Sequence, residues 1–441
     1  MQVNVMLVVC DTLRKDVLGL YGGPAKTPYI ETLAKEAVVY DNAIAPSPWT
    51  FPSHVSLFTG LYPNEHGVHE TEKIKLLNLT KYHNALKTER VAEYFSRRGY
   101  ETYGVSSNVM VSPLSGFDKG FKFFLSLDPA PKMKESKIFL EARKLGASPS
   151  EIAKELVKQR RFGTLFKYAS AWRRIIKANK ALNYPMEKGS SLTNDIILNG
   201  KLSLPFFYFI NYVEMHEPYK GYLPKETWDN FTGIRKISAG KVRYLKKQYI
   251  YESEYLDAAI GRLVSVLKSR GVYDDTLLII TSDHGQAFNE HGYMYHNTYL
   301  YDEITRIPMI VKYPKNKKFK RRRGYQSLVH VPAMIRSILE GGDDSDLTKE
   351  AAFSEAYGDV TVLPGGYHHR KDYVKDKYEK KRKVMYKDDF KLTVNGTDGT
   401  IEEFLHRDRP VDPHEYKWTV RHMLSELDMF RGGERFALPD F

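Results

Sequence analysis

The chain has 441 residues, 42% of them apolar, with a formal charge of +13 and one cysteine. That length exceeds one ordinary core and implies a large domain with a smaller appendage, while the lone Cys10 excludes an internal disulfide or a cysteine zinc cluster. No window reaches the roughly 18 uninterrupted apolar residues of a membrane helix, and the positive charge favours acidic partners (phosphate or sulfate esters, nucleic acid, anionic lipid head groups) without choosing among them.

Residues 3–9, VNVMLVV, are too short for a secretory apolar region plus cleavage site and run directly into Cys10 and Asp11. They read as the first buried strand, and the protein is expected in the cytoplasm. The stretch SPWTFPSHVSLFTGLYP, residues 47–63, starts a helix at Thr50. A threonine there is either the cap of that helix or a hydroxyl placed beside backbone N–H groups that suit a tetrahedral anion. Residues 131–180 carry fourteen Lys or Arg against four Glu in a helical pattern, with a capping box at Ser148-Pro149-Ser150-Glu151. Two readings stand for this insertion. It is a helical excursion with a solvated basic face, or a platform for an anionic or lipid-linked substrate that gives peripheral membrane contact.

LPFFYFINYV (204–213) and TLLIITS (276–282) are the next clear strands, with MIVKY (309–313) a shorter one. The basic run KNKKFKRRR (315–323) reads as an exposed loop after a strand, and its single aromatic, Phe319, argues against nucleic-acid binding. After residue 350 the pattern becomes short strands with charged turns. The expected organisation is a catalytic α/β domain over 1–345 and a small α+β subdomain over 346–441.

Strands alternating with helices imply a largely parallel sheet, whose ligand site lies beyond the carboxyl ends of its strands. Three strands deliver polar residues to that edge: Asp11, then Glu214 with His216, then Asp283 with His284. Asp and His are ligands for a divalent cation, and Asp11 can complete an oxygen-rich site with Asp283 and His284. Metal coordination would lower the pKa of the Thr50 hydroxyl and orient it as a nucleophile.

Taken together, these segments resemble the sulfatase family within the alkaline phosphatase superfamily. CDTLRKDVLGLYG resembles the family's opening metal-ligand segment, and TFPSHVSLFTGLYP its nucleophile signature, Cys/Ser-x-Pro-x-Arg followed by Leu-Thr-Gly. NYVEMHEPY, TSDHGQAFNEHG and HNTYLYDEITRIPMIV resemble the later blocks, in the correct order. The resemblance implies an alkaline phosphatase-like sandwich with a large, mostly parallel sheet flanked by helices. It also implies Asp11, Asp283 and His284 as ligands of a single divalent ion, with Thr50 as nucleophile and further ligand. Thr12 stands where many members have a second Asp. His54 takes the place of the signature arginine, His216 lies near the leaving group, and His296 falls at a substrate-binding position. Asn108, or Ser107 beside it, occupies another anion-binding position; His291 is a further anion contact or structural, and Glu214 has no counterpart.

The departures bear on chemistry. Members of the family oxidise Cys or Ser at the nucleophile position to formylglycine, and the extra methyl of threonine forbids that aldehyde. Relatives with an unmodified threonine handle phosphoesters, as phosphodiesterases or as transferases of phosphoglycerol and phosphoethanolamine. The expectation is a metal-dependent hydrolase, without formylglycine, of a small or lipid- or glycan-linked anionic ester, phosphoester or phosphodiester preferred. Its ion would be Zn²⁺, Mn²⁺, Ca²⁺ or Mg²⁺. The alternatives are an arylsulfatase-like enzyme working without formylglycine, and a non-catalytic anion- or glycan-binding member of the fold.

Overall fold

Side chains along β1 (Asn4–Cys10) alternate between two apolar clusters: Met6, Val8 and Cys10 enter one, and Val5, Leu7 and Val9 the other. A strand buried on both faces must lie inside a sheet that is covered on both sides. The computed structural model shows this, describing residues 3–69, 76–127, 187–200, 202–220, 224–315, 320–342, 348–358, 363, 365–430 and 437–439. The remaining strands of the main sheet are β2 (Val38–Ile44), β3 (Glu101–Ser106), β4 (Phe123–Ser126), β5 (Phe206–Tyr212), β6 (Thr276–Thr281), β9 (Arg306–Lys312) and β10 (Lys320–Ser327), with a small hairpin, β7 (Ala287–Phe288) and β8 (Met294–Tyr295), outside it. Their order is β10-β2-β9-β6-β1-β5-β3-β4. Strand β9 runs antiparallel to both neighbours, and every other pairing is parallel.

The long helix Ala239–Ser269 lays Leu245, Leu256, Ile260, Leu263 and Leu267 on one face of this sheet. Ser238 caps it, its hydroxyl oxygen accepting from the Lys241 N–H at 3.2 Å. The helices Thr50–Thr59, Val91–Arg97 and Val331–Leu339 cover the other face. Because β1 sits between β5 and β6 and all three are parallel, their carboxyl ends open side by side. The topology thus gathers Asp11, the Glu214–His216 segment and Asp283–His284 at one edge.

A second, antiparallel sheet follows: β11 (Ala351–Tyr357), β12 (Lys381–Lys387), β13 (Phe390–Asn395), β14 (Thr400–His406) and β15 (Arg409–Pro410). The helix Lys417–Met429 presses Val420, Met423, Leu424 and Leu427 onto Met385, Leu392, Val394 and Phe404 of that sheet.

One expectation is corrected here. The basic run is not simply a loop, since residues from Lys320 onward form β10, paired parallel with β2. This is an edge strand, and exposed lysine and arginine on an edge deter pairing with another chain. Residues 131–180 lie outside the described residues.

Candidate active site

Asp11 and Asp283, just past the ends of β1 and β6, are both fully buried. Ser282 ties those ends together, donating to the Cys10 carbonyl at 2.7 Å while its oxygen accepts from the Leu13 N–H at 2.9 Å. Asp283 Oδ1 accepts from the Thr12 N–H at 3.1 Å and from the His284 N–H at 2.9 Å. Reaching Asp283 puts Thr12 at φ 60°, a strained setting for a β-branched residue, and the Tyr249 hydroxyl holds it by donating to its carbonyl at 2.6 Å. His284 donates Nδ1–H to the Gly285 carbonyl at 2.9 Å, leaving the Nε2 lone pair for the site. Glycine is required next: a Cβ at Gly285 would lie 2.1 Å from the Glu303 carbonyl oxygen.

Thr50 is the first residue of a helix whose ten residues are all buried. The residue before it, Trp49, occupies the cap position, and the Thr50 hydroxyl lies 3.3 Å from His284 Nε2. The capping alternative for Thr50 therefore gives way, because its oxygen faces the Asp283–His284 pair across the chain. Pro52 falls in the first turn, where a missing N–H costs nothing, and Gly60 at φ 76° closes the helix. Ser53 fixes the helix to β6 by donating to the Asp283 carbonyl at 2.6 Å.

His54 departs from its expected role. It is fully buried, edge-on to Phe117 and Phe209. Its Nδ1–H donates to the Thr50 carbonyl at 2.9 Å, and its Nε2 accepts from the Asn211 amide at 3.3 Å. Both nitrogens are used, and burial holds the ring below the ordinary histidine pKa, hence neutral. Such a group positions Thr50 and cannot neutralise a substrate oxygen. Asn108 is likewise committed, donating its amide to Asp11 Oδ2 at 2.6 Å and accepting from the Met110 N–H at 2.8 Å. It braces Asp11 instead of reaching into the cleft. His291 stacks on Tyr301 and lies 3.4 Å from a Glu303 carboxylate oxygen. Glu214 turns away to accept from the Ser190 N–H at 2.7 Å, opening the helix Ser190–Asn199.

A second group stands beside the first. The His296 ring centroid is 4.5 Å from that of His284 and 5.2 Å from that of His216. His296 donates Nδ1–H to Gln286 Oε1 at 2.6 Å, and the Gln286 amide donates to Glu217 Oε2 at 2.9 Å. His216 donates Nδ1–H to the Glu217 carbonyl at 2.8 Å.

With this geometry in view, comparison with known proteins decides the family. A model of the Sulfatase family matches residues 3–340. The chain belongs to the sulfatase family. This sulfatase-family protein is 22% identical over 351 residues to an uncharacterized sulfatase, YidJ, of Escherichia coli (strain K12), with 71% of this chain and 63% of that protein covered. It is 22% identical over 489 residues to an N-acetylglucosamine-6-O-sulfatase of Bacteroides thetaiotaomicron, with 93% and 81% covered. Among solved structures it is similar to a 2-O GAG sulfatase at TM-score 0.64 and 15% identity, covering 98% of this chain and 92% of that one. It is also similar to a phosphonate monoester hydrolase of Silicibacter pomeroyi at TM-score 0.63 and 16% identity, covering 98% and 96%. The fold is the one these solved structures share.

The donors of this sulfatase-family site fit a divalent cation. Asp11, Asp283 and His284 each bring one ligand atom within 4.8 Å of the others. Asp11 Oδ1 and Asp283 Oδ2 are buried with no hydrogen-bond donor. Burial first, and the Asp283 charge second, push the Asp11 carboxyl well above its usual range. Unpartnered carboxylate oxygens away from water are costly, and a cation removes that cost. Histidine in the set suits Zn²⁺ or Mn²⁺ better than Mg²⁺ or Ca²⁺.

Three residues of the sulfatase-family site escaped the sequence reading. Glu217 is adjacent to His216, and Gln286 sits two residues past His284, so a scan of every polar residue near each strand end would have included both. Lys188 gave no such signal. Its ammonium donates to the Glu214 and His216 carbonyls, each at 2.6 Å, and burial lowers its pKa.

Proposed function

We propose that this chain hydrolyses a phosphoester, a phosphodiester by preference, with Thr50 as an unmodified nucleophile. The observation that carries the reading is the setting of the Thr50 hydroxyl, buried at a helix start, 3.3 Å from His284 Nε2 and beside two carboxylates with unpartnered oxygens. A divalent cation held by Asp11, Thr50, Asp283 and His284 would lower the pKa of that hydroxyl and polarise the ester. Thr50 Oγ1 then forms a bond to phosphorus as the bond to the leaving oxygen breaks, its own proton passing to solvent. His216 protonates the leaving oxygen, and His296 faces the same side. Water attacks the phospho-threonine, releasing phosphate or its monoester and restoring Thr50. His54 holds the Thr50 backbone, and Asn108 holds Asp11, so the reacting atoms meet a fixed geometry. The similarity to a phosphonate monoester hydrolase supports phosphorus as the reacting centre.

A second reading, sulfate-ester hydrolysis without formylglycine, is favoured by the sulfatase names of the curated relatives. One experiment separates the two. An aryl sulfate, a phosphate monoester and a phosphodiester are assayed in parallel with Zn²⁺, Mn²⁺, Mg²⁺ and Ca²⁺, alongside an intact-mass measurement. The proposal requires a mass equal to the encoded chain and fastest turnover on the phosphodiester. Faster turnover of the aryl sulfate would establish the second reading in its place.

A further inference from the structure

We propose that Arg382, on the second sheet, is a positioning residue of the active site, acting through Thr298 on the segment that carries His296 and on the chain that enters Thr50. Arg382 lies on β12 and is 2% exposed. Its Nε–H donates to Glu402 Oε2 on β14 at 2.7 Å, and its Nη1 donates to Thr298 Oγ1 at 3.0 Å. The Thr298 hydroxyl in turn donates to the Tyr378 carbonyl at 2.7 Å, so its oxygen is left to accept from the guanidinium. The guanidinium also lies over the Tyr299 ring, 4.3 Å from its centroid.

The segment next to Thr298 needs such an anchor. Tyr295 has φ 75° and Asn297 φ 122°, so both neighbours of His296 occupy backbone settings that L side chains rarely adopt. Settings of this kind persist only where surrounding contacts fix them. Two more contacts act beside Arg382: the Tyr293 hydroxyl donates to the His296 carbonyl, and the Asn297 N–H donates to the Pro48 carbonyl at 3.2 Å. The second of these ties the segment to the chain two residues before Thr50. The Glu355 N–H on β11 donates to the Pro46 carbonyl at 3.0 Å, so the second sheet grips the same chain from another strand. One frame, rooted in the second sheet, thus holds both His296 and the start of the Thr50 helix.

Cohesion of the second sheet does not account for these contacts. Strands β12 and β14 are already joined through β13 by backbone ladders, and Glu402 engages only the Nε side of the guanidinium. The carboxylate orients the group, and Nη1 reaches out of the sheet to Thr298. A planar guanidinium donates in fixed directions at once, whereas a lysine ammonium is a point charge on a flexible stem. The arrangement is therefore specific to arginine. The His296 ring centroid is 4.5 Å from that of His284, so a shift of this segment alters the cleft directly. A misplacement of about 1 Å, caused far from the chemistry, costs about 10²-fold in rate. The effect on turnover rests on the functional reading above; the placement of His296 by Arg382 does not.

Arg382→Lys, Arg382→Met, Thr298→Val and the Arg382→Met/Thr298→Val double variant are assayed as full chains with Zn²⁺, on whichever ester wild type turns over fastest. Leu424→Ala, which opens a cavity in the second sheet away from Thr298, is the control for stability alone. Both Arg382 variants should lose about 10²-fold in kcat/KM, most of it in kcat, and Leu424→Ala should match wild type. The double variant should lose no more than Arg382→Met alone, because the two residues act as one unit. Carbon-13 spectra of labelled histidines in the chelated proteins read the placement independently of turnover. The His296 signal, identified by its absence in His296→Asn, should move in Arg382→Lys and Thr298→Val and stay in place in Leu424→Ala. Thr298→Val is nearly isosteric, so it keeps the test valid if Arg382→Met does not fold. Wild-type kcat/KM in Arg382→Lys, losses that add in the double variant, or an unmoved His296 signal would overturn the inference. The phosphoester reading fails separately, if Thr50→Ala turns over a phosphodiester as wild type does, whatever the His296 signal shows.

Discussion

Replacing Asp283 by asparagine should stabilise the metal-free protein while weakening cation binding by the Asp11, Asp283 and His284 group. The side chains are nearly isosteric, and the amide can keep both contacts of Oδ1, with the Thr12 and His284 N–H groups. In place of Oδ2, the new Nδ2–H lies 3.4 Å from His284 Nε2, an acceptor in the tautomer set by Gly285. The change also removes one of two buried carboxylates. A separation of at most 4.8 Å corresponds to about 3.5 kcal/mol of repulsion at an effective dielectric near 20. Wild type bears that cost as repulsion, or more cheaply as proton uptake by Asp11. Weaker hydrogen bonds to a neutral amide oxygen take back about 1 kcal/mol, which leaves a net gain of about 2 kcal/mol. With about 2.1 cal/mol/K of unfolding entropy per residue over 441 residues, the chelated variant should melt about 2 °C above chelated wild type. Added Zn²⁺ at a hundred times its dissociation constant should stabilise wild type by about 2.7 kcal/mol and invert the order. Thermal melts in chelator and in Zn²⁺ read both results. A chelated Asp283→Asn protein that melts below chelated wild type would refute the claim that this pair is held in want of a cation.

The remaining expectations concern single residues. Thr50→Ala should lower kcat/KM on the phosphodiester by about 10³-fold or more, while Thr50→Ser, which restores a hydroxyl at the same place, should keep measurable turnover. His54→Leu should lower kcat with little change in KM, since it loosens the Thr50 backbone without touching substrate; leaving Asn211 and the Thr50 carbonyl short of partners should cost about 1–3 kcal/mol of stability. His83, buried against Phe117 and donating to the Ser115 carbonyl at 2.8 Å, has its pKa lowered by burial to about 3. The folded chain refuses a proton that the unfolded chain accepts below about pH 6.5, so this contribution is whole above that pH and is lost as pH falls toward 3. From pH 6.5 to 5 it amounts to about 2 kcal/mol, and urea titrations should show a smaller acid loss for His83→Gln than for wild type.

The central strands were legible because period and length agree with burial. VNVMLVV, LPFFYFINYV and TLLIITS are apolar on both faces, and they became β1, β5 and β6 at the middle of the sheet. Once three parallel strands are known to lie side by side, the residues that follow them must share an edge, and Asp11, Asp283 and His284 converge for that reason. The basic run was harder to read. A strand on an edge needs only one partner and tolerates charge, so KRRR carries no apolar signal although it pairs with β2.

Side-chain direction is where reading by position failed. His54 lies one helical turn from Thr50, a spacing that puts the two on one face of the helix and says nothing about which way that face looks. The structure turns it inward, against Phe117 and Phe209, because every position of this helix is covered and the ring can be buried only as a neutral group with both nitrogens bonded. Asn108 shows the converse. The resemblance put it at an anion-binding position, but the buried Asp11 carboxylate at the end of β1 takes its amide. In a site assembled from buried acids, polar neighbours satisfy those acids before any ligand arrives. At the ends of β1 and β6 one oxygen each of Asp11 and Asp283 is left without a donor, beside the Thr50 hydroxyl.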